Sequence, residues 1–425
     1  MENHTARQNI AVIGAGIAGL TAAYVLAKRH NVTLYEAEPR LGGHAHTHEV
    51  IDNQGRFHNV DSGFIVFNDA TYPTLIRLFA ELGVKSRETE MSMSVNCAGC
   101  GLQYAGERGF RGLFPSARNV ANARYLALLA QIPLFHHRAR ALLDSGDEPG
   151  PTLQDFLAQG RHSTYFINHF IVPLVSAVWS CGPEVVGRYP ARYLFAFLAN
   201  HGMLSVSGSP VWRTVVGGSK RYVDLIAKNL PVVHTSAPVT TVVRGTETVS
   251  IRDAHDHVQK FDSVVIATHP DQALALLGDP TDLERTVLGA IKYSRNRTVL
   301  HTDTTLLPSS PAARASWNYH LPACVPDSGP VRVSYHMNRL QGIDSPTDYV
   351  VSLGVKEASL GADSELAAMT YAHPIYTPKS VAAQKRLPEL ASARTVFAGA
   401  YHGWGFHEDG CVSGVSAAAA LGVSW

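Results

Sequence analysis

The chain has 425 residues, 36 Lys and Arg against 35 Asp and Glu, and a formal net charge of +1. That balance gives no support to nucleic-acid or anionic-surface binding as a main activity. Five cysteines in such a length do not make a disulfide framework, and no apolar run reaches the roughly 18 residues of a membrane span. The expectation is a cytoplasmic protein of one large or two ordinary domains, with at most peripheral membrane contact. The first core strand begins near Gln8, which leaves no room for a removable signal peptide.

From Asn9 the chain reads as an apolar strand, then Gly14-Ala-Gly16-Ile17-Ala-Gly19, then a helical run to Lys28, then a second strand ending at Glu36. Gly14 permits the tight turn, Gly16 lets backbone approach a pyrophosphate, and Gly19 allows helix to pack on sheet. The helix N-terminus favours phosphate, and Glu36 falls where a carboxylate accepts from a ribose hydroxyl. Strand, glycines, helix, second strand and acid all fall in register, which predicts a dinucleotide site.

His44, His46 and His48 share a face by strand alternation alone, with no carboxylate spaced to complete a metal site. Residues 60–68 form an apolar strand entry broken by Gly63, where a bulge or close backbone approach is expected. Residues 72–82 read as an amphipathic helix stopped at Gly83. Cys97-Ala-Gly-Cys100 lies between two strand-like flanks, 91–95 and 102–104. A zinc site would want a second pair, whereas Cys181, Cys324 and Cys411 stand alone, so a hairpin turn with two thiols and no metal is expected.

Residues 111–200 turn helical, with long segments at 121–143 and 153–178 and a stripe of aromatic residues, among them Trp179 and Phe195. Such an insertion forms a natural lid over a nucleotide-binding domain. Three strand-like segments at 232–235, 239–243 and 248–252 precede the continuous apolar run 261–267, read as the return to the first sheet. After a second excursion, 271–387, comes a strand, the glycine-rich loop Gly399 to Gly410 and a small-residue helix, 413–421. Segments 9–13, 32–36, 261–267 and 395–398 should therefore share one sheet.

The N-terminal fingerprint with its Glu38-Pro-Arg40-Leu-Gly42-Gly43 extension, Asp61-x-Gly63, Val264-Val-Ile-Ala267 and Phe397-Ala-Gly399 resemble the flavin-dependent amine oxidoreductase superfamily. A narrower resemblance is to bacterial flavoproteins associated with cyclopropane-fatty-acid-synthase-type methyltransferases. It rests on residues 217–222, His301-Thr302-Asp303, Ser316-Trp317-Asn318-Tyr319 and residues 403–414. The fold class so implied is α/β with α+β insertions: a discontinuous FAD-binding, Rossmann-like domain (1–70, 205–270 and 388–425) carrying a substrate or lid domain in two segments (71–204 and 271–387).

Carried over by resemblance, Gly14, Gly16, Ile17 and Gly19 meet the FAD phosphates, with Glu36 and Ala37 at the ribose. Arg40, Gly42, Gly43 and His44 form the flavin-side loop, Gly63 and Phe64 run along the ring, and Val239 meets adenine through its backbone. Gly399, Asp409, Gly410 and Val412 match the loop beneath the isoalloxazine. Lys292 resembles the lysine that holds a water near flavin N5, and Tyr401 and His402 are the other catalytic candidates. No counterpart exists for the cysteine that tethers flavin in some amine oxidases, so FAD is expected to bind non-covalently. The implied activity is removal of hydride from, or a double-bond shift in, an unsaturated or methylated fatty acyl chain. Two alternatives stay open: oxidation of a small amine, with Tyr401, Trp404 and Phe406 in an aromatic cage, or a non-catalytic flavoprotein partner of a lipid methyltransferase.

Overall fold

Strands drawn from five distant parts of the chain lie side by side at the centre of the nucleotide-binding half. The computed structural model describes residues 7–146, 150–205, 208–355, 360–361 and 363–425. In spatial order the strands are Val232–His234, Asn31–Tyr35, Asn9–Ile13, Ser263–Ile266 and Thr395–Phe397, all parallel. A parallel sheet is covered on both faces, which is why Ile10, Ala11, Val12, Val264, Val265 and Ile266 are apolar without alternation and fully buried. The four segments expected to share a sheet do so. The fifth, Val232–His234, joins the outer edge beside Asn31–Tyr35.

One face of this sheet is packed by helices Ile17–Leu26, Pro73–Leu82, Lys220–Ala227 and His407–Ala420. The other carries a three-stranded antiparallel sheet, 239–261, and helices Pro270–Leu276 and Asp282–Leu288. Three helices assigned from sequence to the substrate segments, Pro73–Leu82, Pro270–Leu276 and Asp282–Leu288, thus pack on the nucleotide side. Their apolar faces decide this: Leu75, Leu78 and Phe79 are buried in the same core as helices Lys220–Ala227 and His407–Ala420, and Val287 and Leu288 beneath the sheet.

The second body is a seven-stranded sheet ordered Glu365–Ile375, Lys292–His301, Val350–Leu353, Val333–His336, Trp317–Leu321, Met93–Cys97, Gln103–Ala105. It is antiparallel except where Trp317–Leu321 runs parallel to Met93–Cys97. Met93–Cys97 and Gln103–Ala105 form the hairpin read from sequence, and its tip rests on Cys324 and Gly99's neighbours in the 323–324 loop. Helices Ala123–Asp144, Leu153–Gln159, Val172–Trp179 and Ala191–Asn200 cover one side. The run 153–178 is interrupted, with Arg161 at φ +51° and a π-helical turn over Ile167–Ile171. Phe195, part of the aromatic stripe in the lid insertion, is core, edge-on to Phe135 and Phe156 at 5.4 and 4.7 Å between ring centroids.

Candidate active site

The phosphate end is built by glycine. Gly14 turns at φ +98°, and a Cβ there would sit 2.8 Å from the Ala267 carbonyl; at Gly19 it would collide with the Gly14 carbonyl. At Gly16, by contrast, an added Cβ meets nothing within 4 Å, so open space lies before the first helix. Gly16 caps that helix with no side-chain hydrogen bond, and no acid occupies its first turn. Its orphan N–H groups and positive dipole end therefore suit an anion in that space. Gly42 N donates to Ala15 O at 2.8 Å and Arg40 Nη1 to Gly43 O at 2.8 Å, which folds the 40–43 loop over the helix start. Glu36 is braced at the strand end, accepting from Ala15 N at 2.8 Å and Glu38 N at 2.9 Å. Ala237 N donates to Glu36 O at 2.9 Å and Ser236 N to Glu38 O at 3.0 Å, which lays the chain just before half-buried Val239 along the 36–38 turn, where Ala37 is exposed. These residues fit a dinucleotide: a cradle emptied of side chains, a helix dipole and a positioned carboxylate.

Beyond the cradle lies a cluster of half-buried imidazoles. The His44 ring stacks on Tyr371 at 4.9 Å and meets His373 edge-on at 5.3 Å and His269 at 6.4 Å. His269 stacks in turn on Tyr293 at 4.2 Å, and the Asn296 amide donates to His373 Nδ1 at 2.9 Å. His44 Nε2 is buried with no partner, as is His402 Nε2. Burial, then the neighbouring imidazoles, holds His44 well below the usual histidine range. Burial likewise brings His373 and His402 down to about 4 and His407 to about 3, so all four rings are neutral near pH 7. His44 and His402 were legible as candidates. His269 and His373 were missed, and only the Thr268-His-Pro270 stop after the return strand offered a signal for the first.

Gly63 serves backbone contact: a Cβ there would lie 2.2 Å from the His44 carbonyl, which accepts from Phe64 N at 2.7 Å. Phe64 stacks on His407 at 3.6 Å. Asp61, two residues before Gly63, is a clasp; it accepts from Thr47 Oγ1, Ser219 N and Oγ, and Gln341 Nε2 at 2.5 to 3.0 Å.

The C-terminal loop closes the site. Gly399 N donates to Ser413 Oγ at 2.9 Å, and a Cβ on Gly399 would strike the Tyr401 ring. Tyr401 is buried with its hydroxyl unpartnered. Tyr193 and Tyr376 hydroxyls each donate to Gly403 O at 2.8 Å, and the Gln384 amide donates to Tyr401 O at 2.8 Å. Asp409 accepts from Phe406 N at 2.8 Å, and burial raises its carboxyl to about 6. Trp179 Nε1 donates to Trp404 O at 3.2 Å, and Phe197 stacks on Phe406 at 4.7 Å. A Cβ on Gly410 would sit 2.6 Å from Ile17 Cγ2, so the first and last helices touch at their N-termini. Val412, in the same helix, is 44% exposed. Lys292 is exposed at the start of its strand, opposite Ile375, outside the imidazole group that its neighbour Tyr293 joins.

A family model described as flavin-containing amine oxidoreductase matches residues 17–301. The chain is 26% identical over 290 residues to the coproporphyrinogen III oxidase of Mycobacterium tuberculosis, covering 63% of this chain and 60% of that protein. Over 42 residues, 10% of this chain and 8% of the relative, it is 57% identical to an L-amino-acid oxidase of Notechis scutatus scutatus. The chain thus spans less than two thirds of the length of both relatives. Three solved structures share the fold. A putrescine oxidase variant superposes with TM-score 0.70 at 14% identity, over 98% of this chain and 99% of that one. A CLA-producing fatty acid isomerase from P. acnes gives 0.68 at 16%, over 96% and 97%. Cyclohexylamine oxidase from Brevibacterium oxydans gives 0.68 at 15%, over 98% and 99%.

Proposed function

The chain belongs to the flavin-containing amine oxidoreductase family, and on that footing we propose that it is an FAD-dependent oxidoreductase acting on an unsaturated or methylated fatty acyl chain. FAD, when bound, supplies hydride acceptance and return at its N5. The first-helix N-terminus and the 40–43 loop hold the pyrophosphate, and Glu36 holds a ribose. Binding is non-covalent: buried Cys411 faces the first helix, where Thr21 Oγ1 donates to its sulfur at 3.5 Å, and offers no tether.

The observation that carries the substrate class is the neutral, ring-lined wall of Trp179, Tyr193, Phe197, Tyr376, Trp404 and Phe406 around the 403–406 loop. The two buried carboxylates nearby are already committed, Asp61 to its clasp and Asp409 to the loop backbone. An ammonium group would find no free anion in them, whereas an acyl chain needs only apolar burial, about 0.8 kcal/mol per methylene. His373 suits proton handling: the Asn296 amide donates to its Nδ1, so the proton of the neutral ring sits on Nε2. The fatty acid isomerase of the same fold is consistent with a lipid substrate. Among the described residues no helix is long and apolar enough to cross a membrane, so a lipid would be met at the membrane face or delivered by a methyltransferase partner.

A second reading, a small amine, is favoured by one feature: Tyr193 lies 4.9 Å from Tyr376 and 6.3 Å from Trp404, a cluster of ring faces of the kind that attracts a cation seated against it. Anaerobic mixing of the FAD-loaded protein with phospholipids bearing unsaturated or methylated chains, followed by flavin absorbance and product analysis, tests the proposal. Flavin bleaching or a shifted double bond is expected. Bleaching by amines alone would transfer the assignment to amine oxidation, and inertness toward both would leave a non-catalytic methyltransferase partner.

A further inference from the structure

Far from the glycine cradle in sequence, three thiols and an imidazole converge. Cys97, Cys100, His169 and Cys324 bring their ligand atoms within 4.8 Å of one another. Cys97 Sγ lies 3.9 Å from Cys324 Sγ, and Cys100 Sγ 3.6 Å from His169 Nε2. Tetrahedral zinc, with sulfur at about 2.3 Å and nitrogen at about 2.0–2.1 Å, requires edges of about 3.8 Å between sulfurs and about 3.5 Å from sulfur to nitrogen. We propose that Cys97, Cys100, Cys324 and His169 bind one zinc ion as a closed Cys3His site. The CxxC expected from sequence to be a bare turn is then half of a metal site, completed by two residues that sequence spacing could not connect to it.

The surroundings are those of a ligand set. His169 Nδ1 lies 3.0 Å from the Tyr165 carbonyl, so Nδ1–H donates there and the Nε2 lone pair points at the sulfurs. The π-helical turn Ile167–Ile171 delivers that ring, and the Tyr104 hydroxyl pins the His169 carbonyl at 2.8 Å. Asn168 Nδ2 donates to the Cys324 carbonyl at 3.0 Å, which fixes the third sulfur. Gly101 takes φ +73°, turning the chain directly after Cys100, and Gly101 N donates to Cys97 O at 2.9 Å. Binding deprotonates three thiols and releases three protons, and three thiolates on Zn²⁺ leave a net charge of −1. Arg118 stands 3.1 Å from where a Gly101 Cβ would be, against the turn that follows Cys100. Four protein ligands leave no open coordination position, so the role is structural: the ion ties the hairpin tip, the helical cap and the 322–324 loop into one unit.

The test is metal analysis of the FAD-loaded protein, prepared without chelator. About one zinc per chain is expected, with no Cys97–Cys324 disulfide in the unreduced digest. Replacement by cobalt should give the visible bands of a tetrahedral thiolate site, a readout that needs no variant. Cys324→Ser and His169→Ala should each lower zinc to about a tenth or less, while Cys181→Ser keeps it. Folded protein that takes up no zinc when zinc is added, iron in place of zinc, or a native Cys97–Cys324 disulfide would overturn the proposal.

Discussion

Gln341 grips Asp61 at both ends: its side-chain carbonyl accepts the Asp61 backbone N–H at 2.8 Å, and its amide donates to the Asp61 carboxylate at 2.8 Å. The two residues are 280 positions apart. Together with Thr47 and Ser219 they join the 57–61 strand, the 217–219 loop and the Met337–Gln341 helix at a point next to the cofactor cradle. Even with these donors, burial keeps the Asp61 carboxyl raised, to about 6.

Asp61→Ala strands the Ser219 N–H, the Thr47 hydroxyl and the Gln341 amide in a buried place. A loss of about 3 kcal/mol or more is expected in urea unfolding, with Asp61→Asn milder because its amide keeps the shape and one acceptor. Equal stability of the alanine variant and the parent would show the clasp to be idle.

His402 gives a pH-dependent contribution with a definite sign. Its folded value, about 4, lies below the ordinary 6.5, so the unfolded chain binds the proton first as pH falls. The neutral buried ring therefore costs nothing above pH 6.5 and destabilises the fold progressively between about 6.5 and 4. His402→Asn should relieve this: in FAD-free protein the variant gains on the parent as pH drops across that window. The gain is bounded by on the order of 3 kcal/mol at the acid end. A pH-independent difference would contradict the assignment.

Gly16→Val separates cofactor binding from folding. An added Cβ meets no protein atom within 4 Å, so the variant should fold and keep the thermal transition of the FAD-free parent. It should purify colourless, because the side chain fills the pyrophosphate space. Retention of flavin absorbance at the parental level would misplace the phosphate cradle.

Lys292→Met and His373→Gln discriminate two proton-handling candidates. With Lys292 exposed and His373 half-buried beside His44, rapid-mixing measurements should show flavin reduction unchanged within about twofold in the first and slowed about a hundredfold in the second. The reverse ranking would return the role to the lysine.

The nucleotide sheet was legible because strands buried on both faces cannot alternate, so 9–13 and 263–266 announce themselves as apolar runs. Val232–His234 is an edge strand with two exposed residues, and nothing in it says which sheet it joins. The glycine cradle was legible for a related reason: Gly14 and Gly19 stand where a Cβ collides with backbone, a constraint local enough to fix spacing. The imidazole cluster was not legible as a group. His44, His269 and His373 come from three segments united only by tertiary packing, and no periodicity within any one segment signals the others. The same holds for His169 and Cys324 against the Cys97–Cys100 turn, and for Gln341 against Asp61.

The parallel seam between Met93–Cys97 and Trp317–Leu321 sets a schedule for synthesis. Ser94 and Asn318, hydrogen-bonded across it at 2.8 Å, are 224 residues apart. A ribosome adding about 5–20 residues each second leaves the first strand waiting about 10 to 45 s for its partner. Throughout that interval an unpaired strand edge is held out to solvent, a template for wrong pairing. Thr395–Phe397, which completes the nucleotide sheet, emerges later still. Gly399 and Gly410 lie in that last stretch, so flavin should be loaded only once the 399–410 loop has been made.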